Sequence, residues 1–499
     1  MSAQLALIFL FAWHEWDCTP GVRAQVLYRL VEVFCYKCTF KFQRVLSAFP
    51  VERLPELLPE ESLREVLGKH KCLFGGVFHS AIVTWAFLCQ VMRDGKDATC
   101  QAAVARISNF LIQIGRNAPH ANTGDYCYAR AKLKPSAIRE LAMRIASLVL
   151  ETQDESWRWK KRNTVLIDGF TFKMSDTPKN QAVYAQHTAQ KPGLGFPIAR
   201  VVALLHLGTG CLLDAAIGPY QGKDTSEIAM LRHLLSSLKA GDVVVADRHF
   251  CSYWLIALLM QKGVHVCFRK HQARHTDFRK GRRLGKDDHI VTWKRGSRPN
   301  WMTKQMHRSL PEQLELREMR YIISEPGRKQ SPFVVVTNML ERSGEESVSA
   351  QEIAELYGYR WNVELDIRNI KTHLNMDFMR CKSPPMVNTE FWMKLLAYNL
   401  VRMTVGLAAK QESILPRQIS FVSTCQYILS NWDVACFSAL NPDELVRQIL
   451  RCISQCRVGN RPGRFEPRCV KRRRDQYKLM MEPRDKLRQR LSKGDNSFE

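Results

Sequence analysis

A tyrosine, an arginine, a glutamate and a lysine follow one another at spacings of three, four and seven residues in Tyr357-Gly-Tyr-Arg360-Trp-Asn-Val-Glu364-Leu-Asp-Ile-Arg-Asn-Ile-Lys371. An α-helix turns by about 100° per residue, so this spacing predicts all four side chains within an arc of roughly 60°. A carboxylate flanked by two cations and a phenol suits the task of holding a metal ion against a phosphodiester. The pattern therefore points to phosphoryl chemistry on nucleic acid.

Such chemistry needs more than one acid. Two Mg²⁺ ions about 3.5–4 Å apart activate the attacking oxygen and stabilise the leaving one. Mg²⁺ takes oxygen ligands and keeps places for water and substrate phosphate, so a few carboxylates suffice. The candidates are Asp168, Asp247 and Glu364. Each has a plainer reading. An aspartate at a strand end is often a turn former or helix cap. A glutamate four residues after an arginine is commonly a surface ion pair worth a few tenths of a kcal/mol. The helix argues against the plain reading for Glu364. Ile353, Leu356, Val363, Ile367, Ile370 and Leu374 form an apolar stripe, and the Tyr357–Arg360–Glu364–Lys371 face borders it. Glu364 is thus expected at a packed edge. Asp366 lies roughly 160° around the helix from Glu364 and is left out of the site.

The elements that must position these acids are legible upstream. Thr164 to Ile167 is a β-rich run ending in Asp168. Phe196 to Leu207 and Cys211 to Ile217 are two more strands, joined by a turn at Gly208-Thr-Gly210. Asp224-Thr-Ser-Glu227 resembles a capping box for a helix to about Leu238. Val243 to Ala246 is a buried strand ending in Asp247; a helix over Ser252 to Lys262 and a strand over Val264 to Arg269 follow. Three strands as a meander, then helix, strand, helix, strand is the order of ribonuclease-H-like folds. Those folds carry one acid on the first strand and another at the end of the fourth, where Asp168 and Asp247 stand.

The expected fold class is therefore α/β, a ribonuclease-H-like core over residues 160–400 interrupted at 270–345 by a basic, β-rich insertion. From Arg269 to Arg298 there are eleven Lys or Arg against three Asp. Met319 to Ile323 and Pro332 to Thr337 are strand-like, and Ser349-Ala-Gln-Glu352 is a capping box opening the helix described first. Residues 1–150 read as a mainly helical domain with a possible part in recognising a DNA end. Leu54 to Leu67 and Ala81 to Met92 have helical apolar spacing there, with Pro55 and Pro59 weakening the first, and Gly95 and Gly124 mark loops. Residues 401–499 read as a helical region with a basic tail containing Lys471-Arg-Arg-Arg474.

Bulk properties agree. The 499 residues allow about two to four domains. A hydrophobic content of 45% permits a sizeable core, and a net charge of +26 fits a polyanionic partner. No apolar run reaches the roughly 20 residues of a spanning helix. The apolar opening Leu5 to Trp13 lacks a basic leader and reads as a buried segment or a mis-assigned start. The 16 cysteines sit in core-like contexts such as Cys267, which suits a reducing cytoplasm. Cys35-Tyr-Lys-Cys38 is a lone C-x-x-C pair, so ordinary thiols are favoured over zinc. Arg279-Lys-Gly-Arg-Arg283 is either a solvated loop or a DNA contact, with Trp293 and Trp301 close by for stacking.

The Y-x2-R-x3-E-x6-K spacing resembles the signature of the DDE transposases of the bacterial insertion-sequence-four family. The resemblance extends over Leu166-Ile-Asp168-Gly169, Val245-Ala-Asp247-Arg248-His-Phe250 and the long interval before Glu364, covering roughly residues 160 to 400. It implies a cut-and-paste transposase, cleaving DNA at transposon ends and transferring the new 3′-hydroxyl to target DNA. It implies that Asp168, Asp247 and Glu364 bind Mg²⁺ or Mn²⁺, two ions per site. Tyr357, Arg360, Lys371 and Arg248 would then contact the transposon-end DNA. Trp361 stands where similar transposases have an aromatic near the terminal bases, and a core tryptophan is the competing reading. The family's base-flipping tryptophan of the insertion has no motif anchoring it to Trp293 or Trp301. A homodimer on paired ends, a bacterial cytoplasmic location beside the nucleoid and no membrane contact are also expected; relatives pass through a DNA hairpin. A metal-dependent nuclease without strand transfer, and an inactive transposase-derived DNA-binding protein, are the alternatives.

Overall fold

The structure is a computed structural model that describes residues 60–113, 116–323, 331–340, 347–434, 442–459 and 480–493. The apolar opening Leu5 to Trp13, the Cys35–Cys38 pair, residues 54–59 of the first expected helix and the Lys471–Arg474 tract lie outside the described residues.

Among the described residues five α-helices come first: α1 (Glu60–Lys69), α2 (Ser80–Val91), α3 (Cys100–Gln113), α4 (Gly124–Ala131) and α5 (Pro135–Glu151). Gly124 begins a helix instead of marking a loop; the Asn122 side chain accepts from its N–H, closing the turn that leads in. The sheet follows: β1 (Thr164–Met174), a short helix α6 (Pro178–Val183), β2 (Ile198–His206), β3 (Leu212–Pro219), helix α7 (Glu227–Arg232), β4 (Val243–Ala246), helix α8 (Tyr253–Gln261) and β5 (His265–Arg269). Next come β6 (Arg282–Gly285), β7 (Asp288–Lys294), helix α9 (Lys304–Ser309), β8 (Gln313–Ile323) and β9 (Ser331–Thr337). The described residues end in α10 (Ala350–Gly358), α11 (Trp361–Arg368), β10 (Phe378–Met379), α12 (Pro384–Gln411), α13 (Phe421–Val434), α14 (Pro442–Gln455) and α15 (Arg484–Ser492).

The strands form one sheet in the order β3-β2-β1-β4-β5-β9-β8-β7-β6, with β10 paired to β1. β2 runs antiparallel to β1, and β3 antiparallel to β2; β4 runs parallel to β1, and β5 parallel to β4. The strands of the basic 270–345 stretch do not stand apart. β9 adds antiparallel to β5, and β8, β7 and β6 continue outward. This pairing satisfies the main-chain groups that β5 would otherwise present at an edge.

Side chains alternate across β1. Leu166, Phe170 and Phe172 join the core formed with α2 to α5 and with α10 to α14; Val165 and Ile167 join the core formed with α7 and α8. Burial on both faces explains the near-continuous apolar run of this strand. Two expectations are corrected here. β1 does not stop before Asp168 but runs on to Met174, because β2 pairs with it through Lys173. The helix after β3 is capped by Ser226, whose hydroxyl accepts from Ala229 N–H, and ends at Arg232, with a 3₁₀ turn at Leu235–Ser237 instead of more helix.

Polar contacts fasten the layers. Asn399 of α12 accepts from Leu212 N–H at 2.8 Å and donates to the carbonyls of Leu212 and Ala142, tying α12 to β3 and α5. Arg139 of α5 grips the buried Asp214 of β3 in a bidentate pair at 2.6 and 3.1 Å.

Candidate metal and DNA site

The parallel pairing of β1 and β4 makes neighbours of the two aspartates. The last rung is Ile167 opposite Ala246, and Asp168 and Asp247 follow it on their strands. Asp168 Oδ1 accepts from Gly169 N–H at 2.8 Å, and Asp247 Oδ1 accepts from His249 N–H at 2.8 Å, a turn that ends β4. The glutamate arrives on the helix packed across β1. α11 contacts β1, and Val363 lies fully buried between them.

The helix that carries the signature is not continuous. The capping box is formed, Ser349 Oγ accepting from Glu352 N–H and the Glu352 carboxylate from Ser349 N–H. Lys160, just ahead of β1, pairs with Glu352 at 2.7 Å, and this contact first holds the Glu352 carboxyl at about 2. The helix then tightens: Arg360, Asn362 and Val363 each donate to the carbonyl three residues back, at 3.0 Å. At its end it widens into a π turn over Asn369–His373. Each 3₁₀ step turns about 20° further than an α step, so the expected 60° arc is not kept. Tyr357 and Arg360 stay on the site side, whereas Lys371 sits on the π turn with its Nζ 3.1 Å from Asp377. The apolar stripe is buried as expected at Ile353, Leu356, Val363, Ile370 and Leu374. Asp366, excluded from the site by its angle, is fully buried in an ion cluster with Arg402 and Arg417, the latter at 2.7 and 2.8 Å.

Arg360 links the acids. Its Nη2 donates to Glu364 Oε1 at 2.6 Å, and its Nη1 stands 3.8 Å from Asp168 Oδ2. Burial pushes the Asp168 carboxyl up to about 6, helped by the nearby Asp247 and Glu227 carboxylates and opposed by the Gly169 N–H and Arg360. Tyr357 is 8% exposed, its ring 5.3 Å from Phe333; burial pushes its phenol up to about 12 against the pull of Arg360 and Arg269. Trp361 is half exposed at the rim, which removes the core-tryptophan reading. Arg248 is exposed and donates to Gln272 Oε1 at 2.9 Å. Trp293 is buried, donates to Glu318 Oε1 at 2.8 Å and has the Arg274 guanidinium 4.1 Å from its ring centre. Its face is therefore taken. Trp301 has Arg232 over its ring at 4.0 Å. In the basic run, Arg279 is exposed and paired with Asp277 at 2.9 Å.

Sequence reasoning missed Glu227, Arg269 and His249 at this site. In the sequence Glu227 reads as the last residue of a capping box, and its distance from the other acids gives no other sign. Among the described residues no three His, Cys, Asp or Glu side chains converge closely enough to hold a metal ion as they stand. The guanidinium of Arg360 lies between two of the acids. The donors are nevertheless all carboxylates, and burial, with two further carboxylates nearby, raises one of them to about 6. That is the donor set and the charge imbalance a hard divalent cation fits.

Residues 159–400 match the transposase DDE domain family. Over 380 residues the chain is 25% identical to the transposase InsG for insertion sequence element IS4 of Escherichia coli (strain K12), covering 74% of this chain and 81% of that one. It is 26% identical over 213 residues to the putative transposase for insertion sequence element IS4SA of Synechocystis sp., covering 42% of this chain and 55% of that one. Among solved structures, the piggyBac transposase synaptic complex with hairpin DNA aligns with a TM-score of 0.40 at 9% identity, over 84% of this chain and 86% of that one. These matches support a DDE transposase of the insertion-sequence-four family. The chain is a DNA transposase, an enzyme of DNA cleavage and strand transfer, and its family uses divalent metal ions. No helix among the described residues is long and apolar enough to cross a membrane.

Proposed function

We propose that Asp168, Asp247 and Glu364 are the metal-binding catalytic acids of this transposase, and that the site holds two Mg²⁺ or Mn²⁺ ions. The observation that carries this reading is the position of Arg360, a cation bridging Asp168 and Glu364 at 3.8 and 2.6 Å while Asp247 crowds Asp168 from the next strand. Bound divalent cations supply activation of the attacking oxygen and stabilisation of the leaving one. Asp168 and Asp247 fix one side of the site from the sheet, and Glu364 closes it from α11. Arg360, once released from bridging the acids, turns its planar fork to the scissile phosphate. Tyr357, whose phenol stays protonated at neutral pH, offers a hydrogen bond to a phosphate oxygen. Trp361 stacks on a terminal base of the transposon end, and Lys371 and Arg248 meet flanking phosphates.

The wider reading follows from the same frame. The strand order 3-2-1-4-5, with β2 antiparallel, supports a ribonuclease-H-like core over 160–400. The outer strands support an insertion at 270–345. Residues 1–150 take part in recognising the ends, and residues 401–499 form a helical region with a basic tail. Two ends must be held together for transfer to target DNA, which favours a homodimer on DNA, in the cytoplasm beside the nucleoid.

The test uses a pre-nicked transposon end with a free 3′-hydroxyl. The wild-type chain should join it to target DNA in Mg²⁺, and Glu364→Gln should not. If Glu364→Gln retains joining, the assignment of the acids is wrong; hydrolysis without joining would instead identify a nuclease.

A further inference from the structure

Glu227 reaches the acids from the other face of the sheet. Its helix, α7, packs through Met230 and Leu231 on the core that Val165 and Ile167 enter, whereas Leu166 and Phe170 point to the opposite core. The odd-numbered side chains of β1 thus face α7, and the odd position beside Asp168 is Gly169. A Cβ there would stand 2.4 Å from Cδ and Oε1 of Glu227. The missing side chain is what lets this carboxylate lie against the β1 backbone next to Asp168.

The edge of β1 is open at the same point. β2 pairs with one edge throughout, and β4 covers the other only as far as Ile167. β10 resumes the pairing at Lys173. Between them no strand separates the α7 face from the acids. Glu227 is also free of capping duty, since Ser226 caps α7. His249, two residues past Asp247, is 3.8 Å from its Oε2.

We propose that Glu227 is a fourth carboxylate of the metal site, delivered through the gap at Gly169 to the cation held by Asp168 and Asp247. The proposal rests on the assignment of those two aspartates as metal ligands. It explains in one step why position 169 carries no side chain and why the strand beside Asp168 is uncovered.

The test is Mn²⁺ binding by the full-length chain without DNA, read from the electron paramagnetic resonance of free Mn²⁺, with circular dichroism to verify folding. Glu227→Gln should weaken binding about tenfold to a hundredfold, as loss of a supporting group at a metal site does. Gly169→Ala should weaken it similarly by displacing the carboxylate, and the double variant should be little worse than either single one. Glu312→Gln, at an exposed glutamate outside the site, should leave affinity unchanged. If Asp168→Asn loses Mn²⁺ while Glu227→Gln binds like wild type, this inference falls and the site assignment stands. If Asp168→Asn also binds like wild type, both fall. Should Gly169→Ala not fold, the comparison of Glu227→Gln with Asp168→Asn and Glu312→Gln still decides.

Discussion

Replacing Asp168 by Asn should stabilise the metal-free protein while abolishing its chemistry. Burial raises the Asp168 carboxyl from 3.8 to about 6, so the native state holds this proton more tightly than the unfolded chain does. The sign follows from linkage: native stability is greatest below 3.8 and falls as the pH rises through about 6. At 1.36 kcal/mol per unit, the charged carboxylate costs the native state about 3 kcal/mol at pH 7.5 and about 1 kcal/mol at pH 4.5. The side chain keeps 24% of its surface exposed, so solvent screening makes these figures upper bounds. Asparagine keeps an oxygen for the Gly169 N–H and removes the charge. Urea denaturation of both proteins in EDTA should therefore show Asp168→Asn more stable at pH 7.5, with most of the gain gone at pH 4.5. Addition of Mg²⁺ should stabilise the wild type and not the variant. A variant no more stable than wild type at pH 7.5, or a gain of equal size at both pH values, would refute the electrostatic account of the site.

Three further outcomes are expected. Asp366→Ala leaves Arg402 and Arg417 buried without their carboxylate and should cost about 3–5 kcal/mol in chemical denaturation; a loss under 1 kcal/mol would mean that solvent reaches the cluster. Trp361→Ala should leave stability within about 0.5 kcal/mol, because the side chain is half exposed. It should nevertheless weaken binding of a fluorescent transposon end by about 1–3 kcal/mol, the worth of one stacked base; unchanged affinity would remove it from the interface. Lys371→Gln should make the slope of log affinity against log salt shallower by about 1 if its ammonium meets a phosphate, and an unchanged slope would leave Lys371 as the partner of Asp377 alone.

What could be read from the sequence and what could not divide along physical lines. The strands β2 to β5 were legible because short apolar runs ended in turn residues, and the two aspartates because each follows such a run. The continuation of β1 was not, because Asp168 and Gly169 resemble a strand end; the β2 ladder overrides that local signal. The break at Arg360 was hidden for a related reason. Helical spacing assumes a constant 100° per residue, whereas the chain tightens at Arg360 and widens into a π turn at Asn369–His373. Glu227 was hidden most deeply. Its role depends on Gly169, a residue on another strand, whose only contribution is the absence of a side chain.

The two irregularities in the signature helix bear directly on its use. A straight helix would set Tyr357, Arg360, Glu364 and Lys371 in one narrow row, with both cations beside the carboxylate. The tightened turn instead keeps Arg360 against Asp168 and Glu364, and the wide turn carries Lys371 away to Asp377. The cations are thereby given separate stations. Arg360 pairs with Glu364 on α11 and stands 3.8 Å from Asp168 on β1, linking the two elements. Lys371 is left beside Asp377, where on the proposed reading a phosphate of the bound end competes for it. The buried Asp366 cluster makes this division possible, since it fixes α11 between the two irregular turns to α12 and to the Arg417 loop. Loss of that anchor should therefore reach the acids through the rotation of Arg360, not through any contact with them.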